Sequence, residues 1–257
     1  MTNNSLNNTC PNDFTVTSSS TTARSLTIQN TSDTASSEAA EIISVAGTSA
    51  GDPYSKYVLS STAEYALGID NSDSDIFKIN YASSDPTPSS GTNCMLFYSG
   101  GNVQHVNNTM FRVYVGSDQN NVTGDNSPAT TYKIQFGTEN FDVGSHFDSS
   151  TNYVFTAPVD GIYIFGGMCR VGGVGDQDEG SLKLRVNGSD VIVYILNWNS
   201  LKDANSQSSS YLNIIYELAA NDTVSLEIEL SGGSATSNTV DVLGGSNLTY
   251  FFGALVG

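Results

Sequence analysis

The chain has 257 residues, with 26 acidic against nine basic side chains and a formal net charge of −17 at pH 7. This charge argues against nucleic acid or an anionic membrane surface as a partner, because such surfaces are bound by clustered Lys and Arg. No run is apolar for long enough to span a membrane, and the first residues lack the basic and apolar regions of a secretion signal. We therefore expect a soluble protein that is made and assembled in a cytoplasm.

Cysteines and histidines are few and widely spaced. Cys10, Cys94 and Cys169 form no C-x-x-C pair, which indicates neither a zinc site nor a disulfide framework, so we interpret them as reduced thiols. His105 and His146 lie in no nucleophile or metal-binding motif. The sequence therefore predicts no catalytic residues, no metal ligands and no cofactor.

Residues 1–37 are nearly all small and polar, a composition typical of segments that are disordered in isolation. Ordering such a segment needs a partner, since each fixed backbone residue costs about 1–2 kcal/mol and little apolar surface is present to offset this. We interpret residues 1–37 as an N-terminal attachment segment that docks onto another chain through Leu6, Phe14 and Val16. The alternative is a strand that packs onto its own domain.

Short β-forming runs separated by turn residues follow, and helical periodicity is limited to a turn or two at residues 35–43. The predicted strands span residues 25–29, 40–45, 56–60, 64–69, 76–81 and 94–98. Because large aliphatic side chains are scarce, residues 38–108 would form only a thin core alone. We expect an elongated β-rich module that completes its core by association.

One loop of this module has the spacing of a cation site. Asp70, Asp73 and Asp75 alternate with Asn and Ser in D-N-S-D-S-D, but the loop lacks the Gly and the terminal Glu of an EF-hand. An Asx-rich turn in contact with solvent is the favoured interpretation, and a weak structural Ca²⁺ stays open as the alternative.

The C-terminal half shows the clearest strand signals. A strand at 110–115 lies in a connection spanning residues 109–127, and the C-terminal domain spans residues 128–257. Its predicted strands cover residues 132–136, 153–156, 162–165, 182–186, 191–196, 211–218, 223–230 and 247–256. Asn187-Gly188 predicts a hairpin, because both turn positions require positive φ. Leu226 and Ile228 alternate with polar residues, so this strand should have one buried face and one wet face.

Two patterns carry a resemblance to a known fold family. The pattern F-x-x-P-x-x-G-x-Y-x-F is formed by Phe155, Pro158, Gly161, Tyr163 and Phe165. The pattern T-x-F-x-G-x-L near the C-terminus is formed by Thr249, Phe251, Gly253 and Leu255. Both resemble the C1q/TNF-like jelly-roll family; for the first pattern alone, an unrelated sandwich with a Pro-Gly turn is the alternative. The resemblance implies a trimer whose last strand lies at the centre of the inner sheet.

Residues 51–106 contain the phrase G-I-D-N-S-D-S-D-I-F-K-I and resemble modules of bacteriophage tail-fibre proteins, which are β-rich trimeric shafts. The two resemblances together imply an all-β virion fibre, in which an attachment segment and a trimeric shaft carry a C1q/TNF-like jelly-roll head. Such a homotrimer would join another virion protein on the tail or capsid and bind a host surface glycan or protein. The alternatives are a capsid head fibre or decoration protein that stabilises the shell, and a cellular C1q-like lectin.

Four residues are candidates for ligand contact in the head. An acidic loop contains Asp176, Asp178 and Glu179 as candidates for ligand contact. The alternatives are a weak cation site, a carboxylate pair that cleaves glycans, and a loop that binds nothing. Trp198 is the only tryptophan and has the flat ring that stacks on sugars. A half-buried position in the core or in a trimer interface is its alternative role.

Overall fold

The computed structural model describes residues 27–60, 62–124, 130–175, 179–231 and 239–256. The first five strands are β1 (Tyr54–Leu59), β2 (Ala63–Asp70), β3 (Ile76–Ala82), β4 (Thr92–Phe97) and β5 (Val103–His105). They form an antiparallel sheet in which neighbours in sequence are neighbours in space. Four of the strands predicted for the N-terminal module are thus confirmed, and β5 was not predicted.

The segment before β1 differs from the prediction. Residues 40–45 form no strand, and neither do residues 27–29, the described part of the strand predicted at 25–29. The helical interpretation of residues 35–43 is also wrong, because only a short turn at residues 34–37 forms. Among the described residues, no strand pairs with residues 27–45. The β-forming side chains of Ile42, Ile43 and Val45 therefore stay exposed.

The remaining strands build a sandwich of two antiparallel sheets. They are β6 (Met110–Tyr114), β7 (Gln119–Thr123), β8 (Thr131–Lys133), β9 (Thr138–Val143), β10 (Phe155–Thr156), β11 (Gly161–Gly172), β12 (Glu179–Val186), β13 (Ser189–Leu196), β14 (Ser208–Leu218), β15 (Thr223–Ser231), β16 (Val240–Val242) and β17 (Tyr250–Leu255). The outer sheet has the order β10-β15-β12-β13, with β8 also paired to β15. The inner sheet has the order β7-β16-β11-β17-β6-β9, with β14 also paired to β11. This is the predicted jelly roll.

A single helical turn, α1 (Trp198–Leu201), follows β13. No helix within the described ranges is long and apolar enough to cross a membrane.

An aromatic cluster fills the space between the two sheets. The ring centroid of Phe111 lies 5.0 Å from that of Phe155 and 5.1 Å from those of Phe147 and Phe251. The apolar side chains of β15 close this core from the outer sheet, and all four are fully buried: Val224, Leu226, Ile228 and Leu230. Each large apolar side chain buried in this way contributes about 1.5–3 kcal/mol, so the core is the main source of stability of the sandwich.

The signature residues lie in or beside this core. Phe155, Tyr163, Phe165 and Phe251 are buried. Gly253 of β17 lies against two of the rings, since a Cβ at this position would be 2.6 Å from Phe165 and 2.7 Å from Phe111. A glycine is required here because any side chain would overlap buried rings that have no space to move.

Pro158 fixes φ and Gly161 can adopt positive φ, so the sequence predicts a turn between them, but Gly161 has a different role in the structure. Its φ is not positive, and it is the first residue of β11. The turn is held instead by the hydroxyl of Tyr163, which donates to the carbonyl of Val159 at 2.9 Å. At this turn a side-chain hydrogen bond therefore takes the place of the left-handed backbone expected at Gly161.

The hairpin between β12 and β13 is confirmed, with φ of 50° at Asn187 and 76° at Gly188. The assignment of residues 109–127 to a connection needs correction. β6 lies between β17 and β9, and β7 pairs with β16, so both strands belong to the inner sheet. The strand pairing therefore places the start of the sandwich at β6 and not at residue 128, where the sequence had suggested it.

Candidate functional site

The predicted contact residues do not converge on one exposed site in the described part of the chain. Leu6, Phe14 and Val16 lie outside the described residues, as do Asp176 and Asp178. Glu179 is exposed at the start of β12. Its role in ligand binding stays a prediction.

Trp198 is fully buried, with 0% of its surface exposed, which contradicts the prediction that its ring stacks on a ligand. Trp198 is the first residue of α1, and Asn197 caps this helical turn. The side-chain oxygen of Asn197 accepts a hydrogen bond from the backbone N–H of Ser200 at 2.9 Å. Gly180 of β12 makes room for the indole, since a Cβ there would be 2.3 Å from the indole nitrogen. The structure thus gives Trp198 a core role, which was the alternative.

The outer sheet carries a shallow groove of about 180 Å³ that is lined by Glu179 and by an ion pair between Lys183 and Glu229. Lys183 forms ion pairs with Glu229 at 2.9 Å and with Asp190 at 3.7 Å. Hydrogen bonds from Thr131 and Lys183 hold the pKa of Glu229 below its usual value against the effect of burial. Lys183 and Glu229 therefore compensate each other, and Glu179 contributes an exposed carboxylate at the edge of the groove.

The same pairs correct the expected wet face of β15. Glu227 is almost fully buried on the outer side of the sheet, and its carboxylate accepts from Arg185 of β12 at 3.0 Å. Ser225 donates to the same carboxylate at 2.8 Å and is also buried. Long basic side chains from the neighbouring strand cover these polar groups, so the outer face is an ion-paired layer.

The loop considered as a cation site is built around a lysine. The ammonium of Lys78 lies 2.7 Å from Asp70 and 2.6 Å from Asp73, and Asp70 also accepts from the backbone N–H of Ser72 at 3.0 Å. The Asx turn is confirmed, although Asp70 is buried rather than in contact with solvent. Within the described ranges no group of three or more His, Cys, Asp or Glu side chains is arranged to hold a metal ion.

The candidate functional surface lies on the side of the inner sheet that faces away from the core. We call it the head face and define it by Ile164, Met168, Tyr211, Ile215, Tyr250 and Phe252. Ile164 pairs with Ile215 across β11 and β14, and Met168 lies between Tyr211 and Tyr250. The neighbours of these residues along each strand point into the core. Tyr211 is 66% exposed and Ile215 is 64% exposed, so the apolar surface is open to solvent in a single chain.

The aromatic side chains of the head face pack against one another and against the strands below them. The ring of Phe252 lies across Gly166, where a Cβ would be 2.5 Å from the ring. It stacks with Tyr250 at 6.5 Å between centroids, and the guanidinium of Arg112 lies 5.0 Å from the centroid of the Tyr250 ring. The head face is therefore a continuous aromatic and aliphatic surface, which favours association with another apolar surface.

None of the six residues of the head face was among the predicted site residues. A signal for them was present, because the alternation that marks a strand also assigns every second residue to its far side. In S-S-S-Y-L-N-I-I-Y-E-L of β14, the outward positions include Tyr211 and Ile215. Large apolar residues at two of the five outward positions indicate that part of this face is covered.

The chain is similar to proteins of one family. The family profile described as "C1q domain" matches residues 118–246, which is half of the 257-residue chain. No curated protein matches the chain.

Solved structures with a similar arrangement include that of murine APRIL at pH 8.5. It has 8% identity and a TM-score of 0.41, with 58% of this chain and 98% of that chain covered. The globular domain of zebrafish complement 1qA protein has 16% identity and a TM-score of 0.39, with 58% of this chain and 98% of that chain covered.

Proposed function

Because the chain belongs to the C1q domain family, we propose that it is a homotrimeric binding protein without enzymatic activity, assembled through the head face. The observation that carries the proposal is the open aromatic and aliphatic head face, beside which the guanidinium of Arg112 lies, on a chain with a formal net charge of −17. Copies with this charge repel one another, so close association is easiest where acidic side chains are few. None of the six residues that define the head face is acidic.

The composition of the head face is that of an interface core. Three of its six side chains are aromatic and one is Met, residue types that are enriched in protein–protein interfaces. A monomeric protein rarely exposes an apolar patch of more than about 300–600 Å² without a partner. Burial between copies would remove the exposed rings of Tyr211 and its neighbours from water.

The finer proposal is that the trimer is a virion fibre. Its support is the resemblance of residues 51–106 to tail-fibre modules of bacteriophages. Residues 1–37 would join another virion protein, and the heads would bind a host surface glycan or protein. Three weak sites on one trimer can gain about 10²- to 10⁴-fold in avidity, so shallow polar loops are sufficient for attachment.

The assembly is tested with the full chain by light scattering after size exclusion. We expect three times the 27.2 kDa mass of one chain. Ile215→Glu should give a folded monomer, because a carboxylate is tolerated at an exposed position but not when buried without a partner. Leu201→Glu is the matched control, since Leu201 is also exposed but lies outside the head face. A monomeric wild-type chain would contradict the proposal.

The binding role is tested by adding the full-length trimer as a competitor of particle adsorption to candidate host cells. Inhibition of adsorption by the wild-type chain and by Leu201→Glu, with weaker inhibition by Ile215→Glu, supports trivalent attachment. A trimer that leaves adsorption unchanged would favour a capsid decoration protein instead. Binding of the trimer to cells that no virus infects would favour a cellular lectin.

A further inference from the structure

The N-terminal sheet also has an apolar face that points to solvent. We call it the module face and define it by Tyr57, Tyr65, Leu67, Ile69, Phe77 and Ile79. These residues lie in three cross-strand rows, in which Tyr57 pairs with Tyr65, Leu67 with Ile79, and Ile69 with Phe77. No side chain of the module face is charged.

The opposite face of the same sheet carries the polar groups, and it is the face that the chain covers itself. Asp70, Lys78 and Asn80 are each at most 5% exposed. The amide of Asn80 donates to the carbonyls of Thr87 and Ser90, which fixes the loop that follows β3 over this side. The module therefore buries within one chain a face that combines these polar groups with Ala66, Ile76 and Leu96, and it leaves most of a second, apolar face in contact with solvent.

The exposed area of the module face is comparable with that of the largest apolar patches on monomeric proteins. Tyr57 is 62% exposed, and Tyr65 and Phe77 are about 40% exposed. These three rings alone leave roughly 300 Å² of mostly apolar surface in water, and the aliphatic rows extend the same patch. That approaches the area of the largest patches found on monomers, which are often functional.

We propose that the module face is buried against the module faces of other copies of this chain. The charge of the chain supports this occupant, because an uncharged surface on a strongly acidic protein is a surface where identical copies can meet. Only residues 106–109 separate β5 of the module from β6 of the head. Copies joined through their heads therefore hold their modules at an effective concentration in the millimolar range, where weak apolar contacts become saturated.

This inference rests on the proposed trimer, and its test separates the two. Hydroxyl-radical footprinting of the full-length wild-type chain is compared with that of the Ile215→Glu monomer. We expect Tyr57 and Tyr65 to be oxidised several-fold more slowly in the trimer. Val58 is the internal control, since it is the next residue along β1, is 55% exposed and points to the opposite side of the sheet.

A pair of substitutions on the same strand gives an independent readout. Tyr57→Glu should lower the midpoint of thermal unfolding of the N-terminal module in the wild-type trimer and leave it unchanged in the Ile215→Glu background. Val58→Glu should have little effect in either background. If Tyr57→Glu lowers the midpoint equally in both, its effect is on folding within one chain and the inference is wrong.

Each further outcome assigns the failure to one proposal. Equal oxidation of Tyr57 in a trimer and in a monomer overturns the module interface and leaves the head interface standing. If removal of residues 1–26 abolishes the protection of Tyr57 while the trimer is retained, the N-terminal attachment segment covers the module face and the module interface is overturned. An Ile215→Glu chain that stays oligomeric, with Tyr57 protected, supports the module interface and contradicts the role of the head face.

Discussion

The strongest structural test of the core is Gly253→Ala. The new Cβ would be 2.6 Å from the ring of Phe165 and 2.7 Å from that of Phe111, well inside normal contact. Both rings are buried and held by Phe155, whose centroid lies 5.6 Å and 5.0 Å from theirs, so neither can move away without displacing the cluster. Overpacking of this kind costs about 1–3 kcal/mol. For a chain of this size, we expect the midpoint of thermal unfolding to fall by roughly 2–12 °C.

Gly166→Ala is the matched control for this prediction. Its Cβ would be 2.5 Å from the ring of Phe252. That ring lies on the head face of the inner sheet and is only half-buried, so it can move toward solvent. Both glycines lie within strands, so the change in the entropy of the unfolded backbone is similar for the two. Thermal unfolding of both variants is followed by circular dichroism in the Ile215→Glu background. This background removes the contribution of trimer formation to the midpoint. An unchanged midpoint for Gly253→Ala, or an equal decrease for both variants, would refute the argument.

Two further predictions concern the core and the N-terminal sheet. Leu226→Ala should lower the free energy of unfolding by about 2–5 kcal/mol, because Leu226 is fully buried. Urea denaturation measures this change. A decrease of less than about 1 kcal/mol would show that the core collapses around the site and would contradict the prediction. Burial opposes ionisation of Asp70, but hydrogen bonds from Lys78 and Ser72 outweigh it and hold the pKa of Asp70 below its ordinary value of 3.8. A lowered pKa stabilises the fold above pH 3.8, and this stabilisation is lost as the pH falls through the lower value in the folded state. Asp70→Asn should therefore flatten the pH dependence of unfolding of the N-terminal sheet below pH 3.8, and an unchanged acid limb would contradict the role of this pair.

The sequence predicts the elements whose signal is local. The Asn187-Gly188 hairpin and the buried face of β15 follow from turn chemistry and alternation within a few residues. The strands that were missed, β5, β7, β9 and β16, are short or polar, and their pairing depends on neighbours far along the chain. β7, for example, reads Q-N-N-V-T and becomes a strand because it pairs with β16. Tertiary pairing overrides weak local preference in such segments.

The environment of single side chains could be predicted less well. Glu227 is charged and was expected to face water, yet the register of β12 on β15 places Arg185 over it. Trp198 follows an exposed strand, but a glycine in another strand opens a pocket for its ring. In both cases the deciding neighbour is distant in sequence, so the local pattern around Glu227 or Trp198 contains no information about burial.

The position of β17 between β6 and β11 also determines when the head can fold during synthesis. β6 lies far before β17 in the sequence. The side-chain amide of Asn108, next to β6, donates to the carbonyl of Leu255 in β17, which is 147 residues further along the chain. Ribosomes add about 5–20 residues per second, so β6 waits for roughly 7–30 seconds before its central partner emerges. During that time β6 has β9 as its partner on one edge, and its other edge stays unpaired. A chaperone that binds β-forming segments would therefore find its longest-lived target in this protein before β17 has left the ribosome.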